Sequence, residues 1–348
     1  MPIKPIMSDS LLQKALRREK VERPPVWLMR QAGRYMAEYR AVREGLSFLE
    51  LCKRPKLCAE VMQTAVERIG VDAAIIFSDL LPILEPMGFE LSFIAGDGPH
   101  IANPFREKDD LKRVNELVDV SALDYVYETV AQTRQIAAPL PVIGFAGAPF
   151  TLAGYAIEGG TSRQFLKTKT IMYAQPDVWK ELLSRLARSA ARYLNAQIAA
   201  GAHVVQIFDS WIGCLGIEDF QRFVLPALKE LRSMLDTSVP AIYFGTGNPA
   251  LLPSFAEVGT ECVGVDWRIP IDRAWELVGK DRAIQGNLDP VVLLASQDVI
   301  RAEATRILDA VGDQPGFVFN LGHGILKETP VENVICLVNT VKNWRKAA

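Results

Sequence analysis

The sequence predicts an α/β protein with a single-domain (β/α)8 barrel, because short apolar runs alternate with amphipathic stretches along its 348 residues. The runs are rich in β-branched and aromatic residues, and most are followed by sequence with helical periodicity. Continuous apolar strands of this kind are typical of a parallel sheet covered on both faces. Eight such units are the number that closes a barrel. The predicted strands are 26–29, 73–77, 142–145, 204–208, 241–244, 262–265, 283–285 and 317–320.

The stretches between the strands complete the architecture. The clearest amphipathic stretches are 177–200, 218–235, 297–311 and 331–345. A Gly- and Pro-rich interval after the second strand predicts a hairpin. We therefore expect one domain over 1–348, with an N-terminal helical extension at about 1–22 and a hairpin insertion at about 85–105. A doubly wound open sheet is the alternative, but no Gly-rich fingerprint follows the first strand.

Composition argues against several classes of protein. A net charge of -2 and a pI of about 6.1 do not indicate a nucleic-acid partner. No apolar stretch has the length of a membrane span, and residues 1–20 lack the apolar core of a secretory signal. The five cysteines are dispersed without a CxxC pair, which indicates reduced thiols and supplies no zinc-ligand spacing. We expect a cytoplasmic protein with no metal site.

Two arginines, Arg30 and Arg34, follow the first predicted strand, and Gly33 lies between them. Arginine offers a planar, permanently charged fork that matches carboxylate and phosphate geometry. The segment therefore indicates an anion receptor. A solvated basic turn is the alternative interpretation, since surface arginines are common.

Other strand ends carry further candidates, because catalytic residues of a barrel lie at the carboxyl ends of its strands. Asp79 follows the second strand within apolar sequence, so it either stabilises a cation in a cleft or caps a helix. His323 lies between two glycines, which allow a ligand to approach closely. Tyr155, in a Gly-rich loop after the third strand, either meets a ligand or packs over the barrel mouth. Ser210 is either a pocket hydroxyl or a helix cap.

Five motifs together resemble the uroporphyrinogen decarboxylase family over essentially the whole chain. They are Arg30-Gln-Ala-Gly-Arg-Tyr35, Ile75-Ile-Phe-Ser-Asp79, Gly147-Ala-Pro-Phe-Thr-Leu-Ala-Gly-Tyr155, Phe208-Asp-Ser-Trp211 and Asn320-Leu-Gly-His-Gly324. The resemblance implies a (β/α)8 barrel, usually a homodimer, that uses no metal or organic cofactor. It also implies removal of carboxyl groups from the four acetate side chains of uroporphyrinogen III. The products would be coproporphyrinogen III and carbon dioxide, in porphyrin and haem biosynthesis.

The resemblance also implies roles for individual residues. Substrate carboxylates would be held by Arg30, Arg34 and Arg43, beside Gln31, Ala32 and Gly33. Asp79 would reach the pyrrole N–H groups and stabilise the transition state. Tyr155, Ser210 and His323 would contact substrate carboxylates or the ring edge. The catalytic set would be Asp79, Arg30, Tyr155 and His323.

The chemistry of this reaction agrees with a carboxylate at position 79. Protonation of a pyrrole carbon makes the ring cationic, and the electrons left by departing carbon dioxide collapse into it. A carboxylate under the pyrrole nitrogens stabilises the developing positive charge. The proton donors stay open: an arginine-bound carboxyl or Arg30, with His323 or Tyr155 assisting. Arginine is a poor general acid at its ordinary pKa, so that role needs a specific environment.

The same residues bear on two other functions. Corrinoid-dependent methyltransferases of this barrel superfamily carry a His-x-Cys zinc pair, but Val205 lies two residues after His203 and Ile325 two after His323. The zinc interpretation is therefore disfavoured. A non-catalytic tetrapyrrole carrier would be favoured by the loss of Asp79 or Tyr155, and both are present.

Overall fold

The computed structural model describes residues 9–94 and 98–345, and its strands and helices alternate as the sequence predicts. The strands are β1 (Ala74–Ile75), β2 (Leu91–Ile94), β3 (Gly98–Ile101), β4 (Val142–Gly147), β5 (Val204–Asp209), β6 (Ala241–Gly245), β7 (Cys262–Gly264), β8 (Ala283–Leu288) and β9 (Phe317–Leu321). The helices are α1 (Leu11–Leu16), α2 (Ala37–Val42), α3 (Phe48–Cys52), α4 (Pro55–Ile69), α5 (Asp124–Ile136), α6 (Pro149–Glu158), α7 (Leu166–Ala174), α8 (Pro176–Ala199), α9 (Ile217–Phe223), α10 (Leu225–Met234), α11 (Leu252–Ala256), α12 (Ile271–Val278), α13 (Gln297–Val311) and α14 (Val331–Asn343).

Seven parallel strands form the main sheet, in the order β1-β4-β5-β6-β7-β8-β9. The chain around Val26 closes it on both sides. Val26 forms a parallel bridge with Phe319 of β9, whose N–H donates to the Pro25 carbonyl (2.9 Å). On the other side, the Val26 carbonyl accepts the N–H of Asp72, just before β1 (2.8 Å). The predicted (β/α)8 barrel is confirmed.

The predicted strand 26–29 is not a regular strand, because three of its four backbone N–H groups bond to side chains, and only that of Trp27 donates to a backbone carbonyl, that of Phe319 (3.4 Å). The Val26 N–H donates to the Asp72 carboxylate (2.8 Å), which Arg23 holds with two hydrogen bonds of 2.7 Å. The Met29 N–H donates to the side-chain oxygen of Asn320 (3.2 Å). A strand ladder cannot continue where its donors have other partners. The segment therefore closes the barrel by a single bridge and then turns.

Polar side chains cross the interior of the barrel. The Trp27 indole N–H donates to the Gln285 side chain (2.9 Å), which in turn donates to Gln206 (3.0 Å). All three residues are buried. Gln206 lies on β5 and Gln285 on β8, which are not neighbours in the sheet. The chain of hydrogen bonds therefore spans the barrel and satisfies buried polar groups that would otherwise destabilise it.

Outside the barrel, β2 and β3 pair antiparallel, with Leu91 opposite Ile101. The chain between these two strands, 95–97, lies outside the described residues. So do 1–8 of the expected N-terminal extension. Within that extension α1 begins after Ser10, whose side chain and Gln13 form a capping box.

The predicted amphipathic stretches 177–200, 297–311 and 331–345 correspond to α8, α13 and α14. The stretch 218–235 is divided into α9 and α10 at Val224, whereas its amphipathic pattern predicts one helix. Pro226 follows two residues later. Proline lacks an N–H, and its ring clashes with the preceding helical turn, so one continuous helix cannot form here.

We predict that Asp72→Ala lowers the free energy of unfolding by about 2–3 kcal/mol, measured by urea denaturation. The change leaves the Arg23 guanidinium, 14% exposed, without its carboxylate partner and removes the acceptor of the Val26 N–H. Asp109→Ala is the control, because its ion pair with Lys112 is exposed. That variant should lose less than about 1 kcal/mol. Equal losses in the two variants would contradict the closure described above.

Candidate active site

The loop after Val26 is fixed by one buried amide. The Gln31 side chain donates to the Ala73 carbonyl (3.0 Å) and accepts the Leu28 N–H (3.3 Å). The Tyr35 hydroxyl donates to the Gln31 carbonyl (2.6 Å). The Gln31 amide is thus engaged with backbone groups and fully buried. It holds the arginine loop on the start of β1.

Arg30 leaves this loop in a left-handed backbone conformation, with φ 61°. Such a conformation costs a non-glycine residue on the order of 1 kcal/mol, so the surrounding loop must enforce it. The side chain runs across Gly324, where an added Cβ would collide with the Arg30 Cδ. One of the two glycines beside His323 therefore makes room for Arg30. In the same loop Ala32 is buried and Gly33 half-buried.

Asp79 lies beyond β1 and is half-buried. Its carboxylate accepts the N–H of Leu81 (3.0 Å), two residues on, and so closes a local turn. It caps no helix, because the short helical turn that follows, Pro82–Leu84, has no side-chain cap. Loss of hydration raises the pKa of Asp79, while the Leu81 hydrogen bond and the positive charge of Arg30 oppose that rise. The residue is therefore a poorly hydrated carboxylate near a guanidinium.

Tyr155 lies on helix α6, and its prediction in a loop was wrong. Strand β4 runs on to Gly147, and Pro149 occupies the first turn of the helix, where its missing N–H costs nothing. The Tyr155 ring packs edge-on against Trp211, with centroids 5.8 Å apart. Burial raises the pKa of Tyr155 to about 12, and the negative charge of Asp79 adds to the effect. The phenol is protonated at neutral pH.

Buried polar groups hold α6 in place. The carboxylate of Asp209, at the end of β5, accepts the hydroxyls of Thr151 (2.7 Å) and Tyr243 (2.8 Å). Burial raises the pKa of Asp209 to about 6, and the two hydroxyls oppose this rise. Thr151 lies one helical turn before Tyr155. Ser210, next to Asp209, is half-buried, and its carbonyl accepts the Thr246 hydroxyl (2.9 Å).

His323 follows β9 and has two guanidinium groups near it. Burial, together with the positive charges of Arg30 and Arg268, lowers the pKa of His323 to about 4. Arg268 lies over the Trp267 ring (4.3 Å) and pairs with the Asp266 carboxylate. The imidazole is therefore neutral at neutral pH. Arg30 lowers the pKa of Asp79, Tyr155 and His323 alike, so these three candidates lie within electrostatic range of its guanidinium.

An open cleft of about 740 Å³ lies on the arginine loop and α2. Four of its lining residues are cationic and one is acidic. The lining residues are Arg34, Tyr39, Arg40, Ala41, Arg43, Glu44 and Lys327. Although the chain has a net charge of -2, the cleft is thus locally positive. Arg34, Arg40 and Lys327 are exposed, so the cleft agrees both with the predicted anion receptor and with the solvated basic turn.

Aromatic rings connect the cleft to the Asp79 side of the site. Tyr39, which lines the cleft, has its ring centroid 5.5 Å from that of Phe77. Phe48 packs edge-on against Phe77 (5.9 Å) and has the Arg43 guanidinium 5.6 Å above it. Phe77 lies two residues before Asp79. The floor between cations and carboxylate is therefore apolar and poorly hydrated.

Several residues of this region were missed by sequence reasoning. Arg40 and Lys327 line the cleft, and Arg268 acts on His323. Arg40 belongs to the same basic segment as Arg34 and Arg43, so charge density could have indicated it. Arg268 stands two residues beyond the strand-end Asp266, and only its contacts reveal it.

Within 9–94 and 98–345, no helix combines the length and apolarity needed to cross a membrane. Over the same ranges, no three His, Cys, Asp or Glu side chains are grouped so that they could hold a metal ion.

Comparison with solved structures supports the fold. A methyltransferase from Methanosarcina mazei superposes with a TM-score of 0.82 at 23% identity, covering 96% of this chain and 99% of that chain. A B12-independent methionine synthase from Shewanella sp. W3-18-1 gives a TM-score of 0.55 at 9% identity, covering 82% and 89%. At these identities the likeness concerns the fold alone.

Comparison of sequences is more specific. The family model for uroporphyrinogen decarboxylase (URO-D) matches residues 7–344. The uroporphyrinogen decarboxylase of Koribacter versatilis is 51% identical over 339 residues, which are 97% of this chain and 96% of the relative. That of Carboxydothermus hydrogenoformans is 50% identical over 337 residues, 96% of each chain. This chain belongs to the uroporphyrinogen decarboxylase family.

Proposed function

We propose that this chain decarboxylates the four acetate side chains of uroporphyrinogen III, giving coproporphyrinogen III and carbon dioxide, without a metal or organic cofactor. One observation carries the proposal beyond family membership. Asp79, Tyr155 and His323 lie within electrostatic range of the Arg30 guanidinium, and a cationic cleft lies on the arginine loop of a chain with net negative charge.

The cleft accounts for binding of the substrate. Uroporphyrinogen carries eight carboxylates, and Arg34, Arg40, Arg43 and Lys327 provide fixed positive charge to receive part of them. Arg30 takes a further carboxylate beside Ala32 and Gly33. Ser210 and Tyr155 offer hydroxyls from the opposite side of the barrel mouth. The substrate is thus oriented by its periphery, which leaves its pyrrole N–H groups free to meet Asp79.

Asp79 stabilises the charge that forms during reaction. When a pyrrole carbon is protonated, the ring becomes cationic, and its N–H groups donate more strongly to a carboxylate. Loss of hydration raises the pKa of Asp79. The ionised carboxylate is therefore poorly stabilised until a cation forms beside it. In a poorly hydrated site this interaction is worth more than in water. Asp79 therefore favours the transition state over bound substrate.

Tyr155 and His323 act in their uncharged forms. The phenol of Tyr155 remains a hydrogen-bond donor at neutral pH because its pKa is raised to about 12. The pKa of His323 is lowered to about 4, so a neutral imidazole contacts the ring edge or a carboxylate. An imidazolium acid at position 323 is inconsistent with these surroundings. Because a pKa near 12 also makes Tyr155 a weak acid at neutral pH, its proposed role is to donate a hydrogen bond to the substrate.

The proposal extends to assembly and location. We propose a cytoplasmic homodimer, which rests on the family membership and on dispersed thiols that no described residue pairs into a disulfide.

We predict that chelator-treated protein converts uroporphyrinogen III into coproporphyrinogen III under anaerobic, reducing conditions with no added cofactor. Product is measured by chromatography of the oxidised porphyrins, with heat-inactivated protein as the blank. The I isomer is assayed in parallel. Absence of product from both isomers would overturn the proposed function, and activity restored only by added zinc would favour metal-dependent chemistry.

Asp79→Asn should lower kcat by about 100- to 1000-fold and change KM by less than about threefold. The neutral amide keeps the size of the side chain but loses the charge that meets the cationic ring. Asp289→Asn is the matched control, because Asp289 also follows a strand and accepts the N–H two residues on (2.9 Å). Its kcat should stay within about threefold of the parent. A raised KM with unchanged kcat for Asp79→Asn would make Asp79 a binding residue.

NMR of nitrogen-15-labelled histidine should find His323 mostly neutral down to pH 5, with the midpoint of its protonation near pH 4 in the free protein. Unfolded chains take up this proton near pH 6.5. The native state therefore loses stability relative to the unfolded state as pH falls from 6.5 to 4. Arg30→Met should raise the midpoint by removing a nearby positive charge. His323→Gln assigns the signal, and a wild-type midpoint near 6.5 would contradict the described environment.

A further inference from the structure

Four buried hydroxyl groups near Asp79 have no hydrogen-bond partner among the described residues. They are Ser78 Oγ and the phenol oxygens of Tyr125, Tyr127 and Tyr193. Buried hydroxyls in folded proteins nearly always have a partner, either a protein group or an ordered water. Four unpaired ones in one region therefore call for a common explanation.

The four hydroxyls belong to one cluster between α5, α8 and the chain that follows β1. The rings of Tyr127 and Tyr193 have centroids 6.0 Å apart. Burial raises the pKa of Tyr193 well above its usual range; the Tyr125 and Tyr127 phenols add to the rise, and the Ser78 hydroxyl opposes it. Tyr193 is thus close enough to the other three members for each of them to change its pKa. It is 1% exposed and stands at the centre of the cluster.

The inner end of the cluster reaches the proposed active site. Ser78 directly precedes Asp79 in the chain. Cys52 lies alongside: burial raises the pKa of its thiol, and Asp79 is among the charges that add to this rise. The same thiol acts on Tyr125 and Tyr193. The cluster therefore extends to the residue that precedes Asp79, and the Cys52 thiol is within electrostatic range of both the phenols and the Asp79 carboxylate.

The outer end of the cluster reaches the surface. The Lys53 ammonium lies over the Tyr125 ring, 6.0 Å from its centroid, and pairs with the Glu85 carboxylate (3.1 Å). The Lys53 and Glu85 side chains are 45% and 29% exposed. Burial raises the pKa of Tyr125, and Glu85 is the next largest cause. A titratable pair in contact with solvent thus stands beside the outermost phenol.

We propose that Tyr125, Tyr127 and Tyr193, bridged by ordered water, relay protons from the Lys53–Glu85 surface to Ser78 and the site beside it. The inference rests on the proposed function. A buried water needs two to four polar partners, and these hydroxyls supply them. Each hydroxyl both donates and accepts, so a proton can pass along the chain without any phenol becoming fully ionised.

The proposed reaction requires a supply of protons at the active site. In each step the bond between the methylene carbon and its carboxylate breaks, and carbon dioxide leaves. The electron pair flows into the protonated ring, a proton then adds to the methylene carbon, and the ring carbon gives up its own proton. Each carbon dioxide released therefore consumes one proton net, and nothing is oxidised or reduced by an external reagent. Four steps on one substrate require four protons from solvent.

The test uses Tyr193→Phe, which removes one hydroxyl from the centre of the cluster and keeps the ring. We expect kcat to fall about tenfold with unchanged KM, because proton delivery becomes slower than the chemistry. The solvent deuterium isotope effect on kcat should increase, which a merely structural role would not produce. Tyr173→Phe is the matched control, since its hydroxyl pairs with the exposed carboxylate of Asp219.

Tyr125→Phe and Tyr127→Phe are assayed in the same way, in case Tyr193→Phe does not fold. Unchanged kcat and isotope effect in the folded variants, with active wild-type protein, would overturn the relay and leave the proposed function intact. Inactive wild-type protein would instead overturn the proposed function. A high-resolution crystal structure gives a readout that is independent of activity. Ordered water that bridges the phenols of Tyr125, Tyr127 and Tyr193 would support the relay, and a dry cluster would overturn it.

Discussion

The carboxylate of Asp72 sets the geometry on which the rest of the site depends. It accepts two hydrogen bonds from Arg23 and one from the Val26 N–H, and so joins the first and second segments of the barrel wall. The first segment leads within four residues to Arg30, and the second leads through β1 to Asp79. One partly buried ion pair therefore fixes the guanidinium and the carboxylate relative to each other. Pairs of this kind stabilise only when their remaining hydrogen bonds are satisfied, as they are here.

A single physical cause, loss of hydration, sets the protonation states of the candidate reactive groups. It is the largest influence on Asp79, Tyr155 and His323, raising the first two pKa values and lowering the third. Arg30 opposes the shift at Asp79 and Tyr155 and reinforces it at His323. The outcome is a carboxylate short of solvation, a protonated phenol and a neutral imidazole within electrostatic range of one guanidinium. The cationic cleft lies on the arginine loop, separated from Asp79 by a floor of aromatic rings.

The sequence predicted the barrel well where a strand is long and apolar, as in β4, β5 and β9. It predicted a regular strand at 26–29, where side chains of Asp72 and Asn320 take the backbone donors. It also placed Tyr155 in a loop, since the glycines of its motif mask a helix that begins at Pro149. The local sequence pattern indicates burial and periodicity. The hydrogen-bond partners of a segment, in contrast, come from residues that are distant in the chain.

The sequence by itself determined the fold class and the positions of the polar strand ends, because apolar periodicity and motif spacing are both properties of the linear chain. It also indicated Arg30, Arg34, Arg43, Asp79, Tyr155 and His323 as candidates. The tertiary structure alone decided which of them lie within electrostatic range of Arg30, that the Gln31 amide supports the loop, and that Arg40, Lys327 and Arg268 join the region. It also assembled the phenols of α5 and α8 beside Ser78. Hydration and hydrogen bonding are properties of neighbours in space, and folding brings those neighbours together from distant parts of the chain.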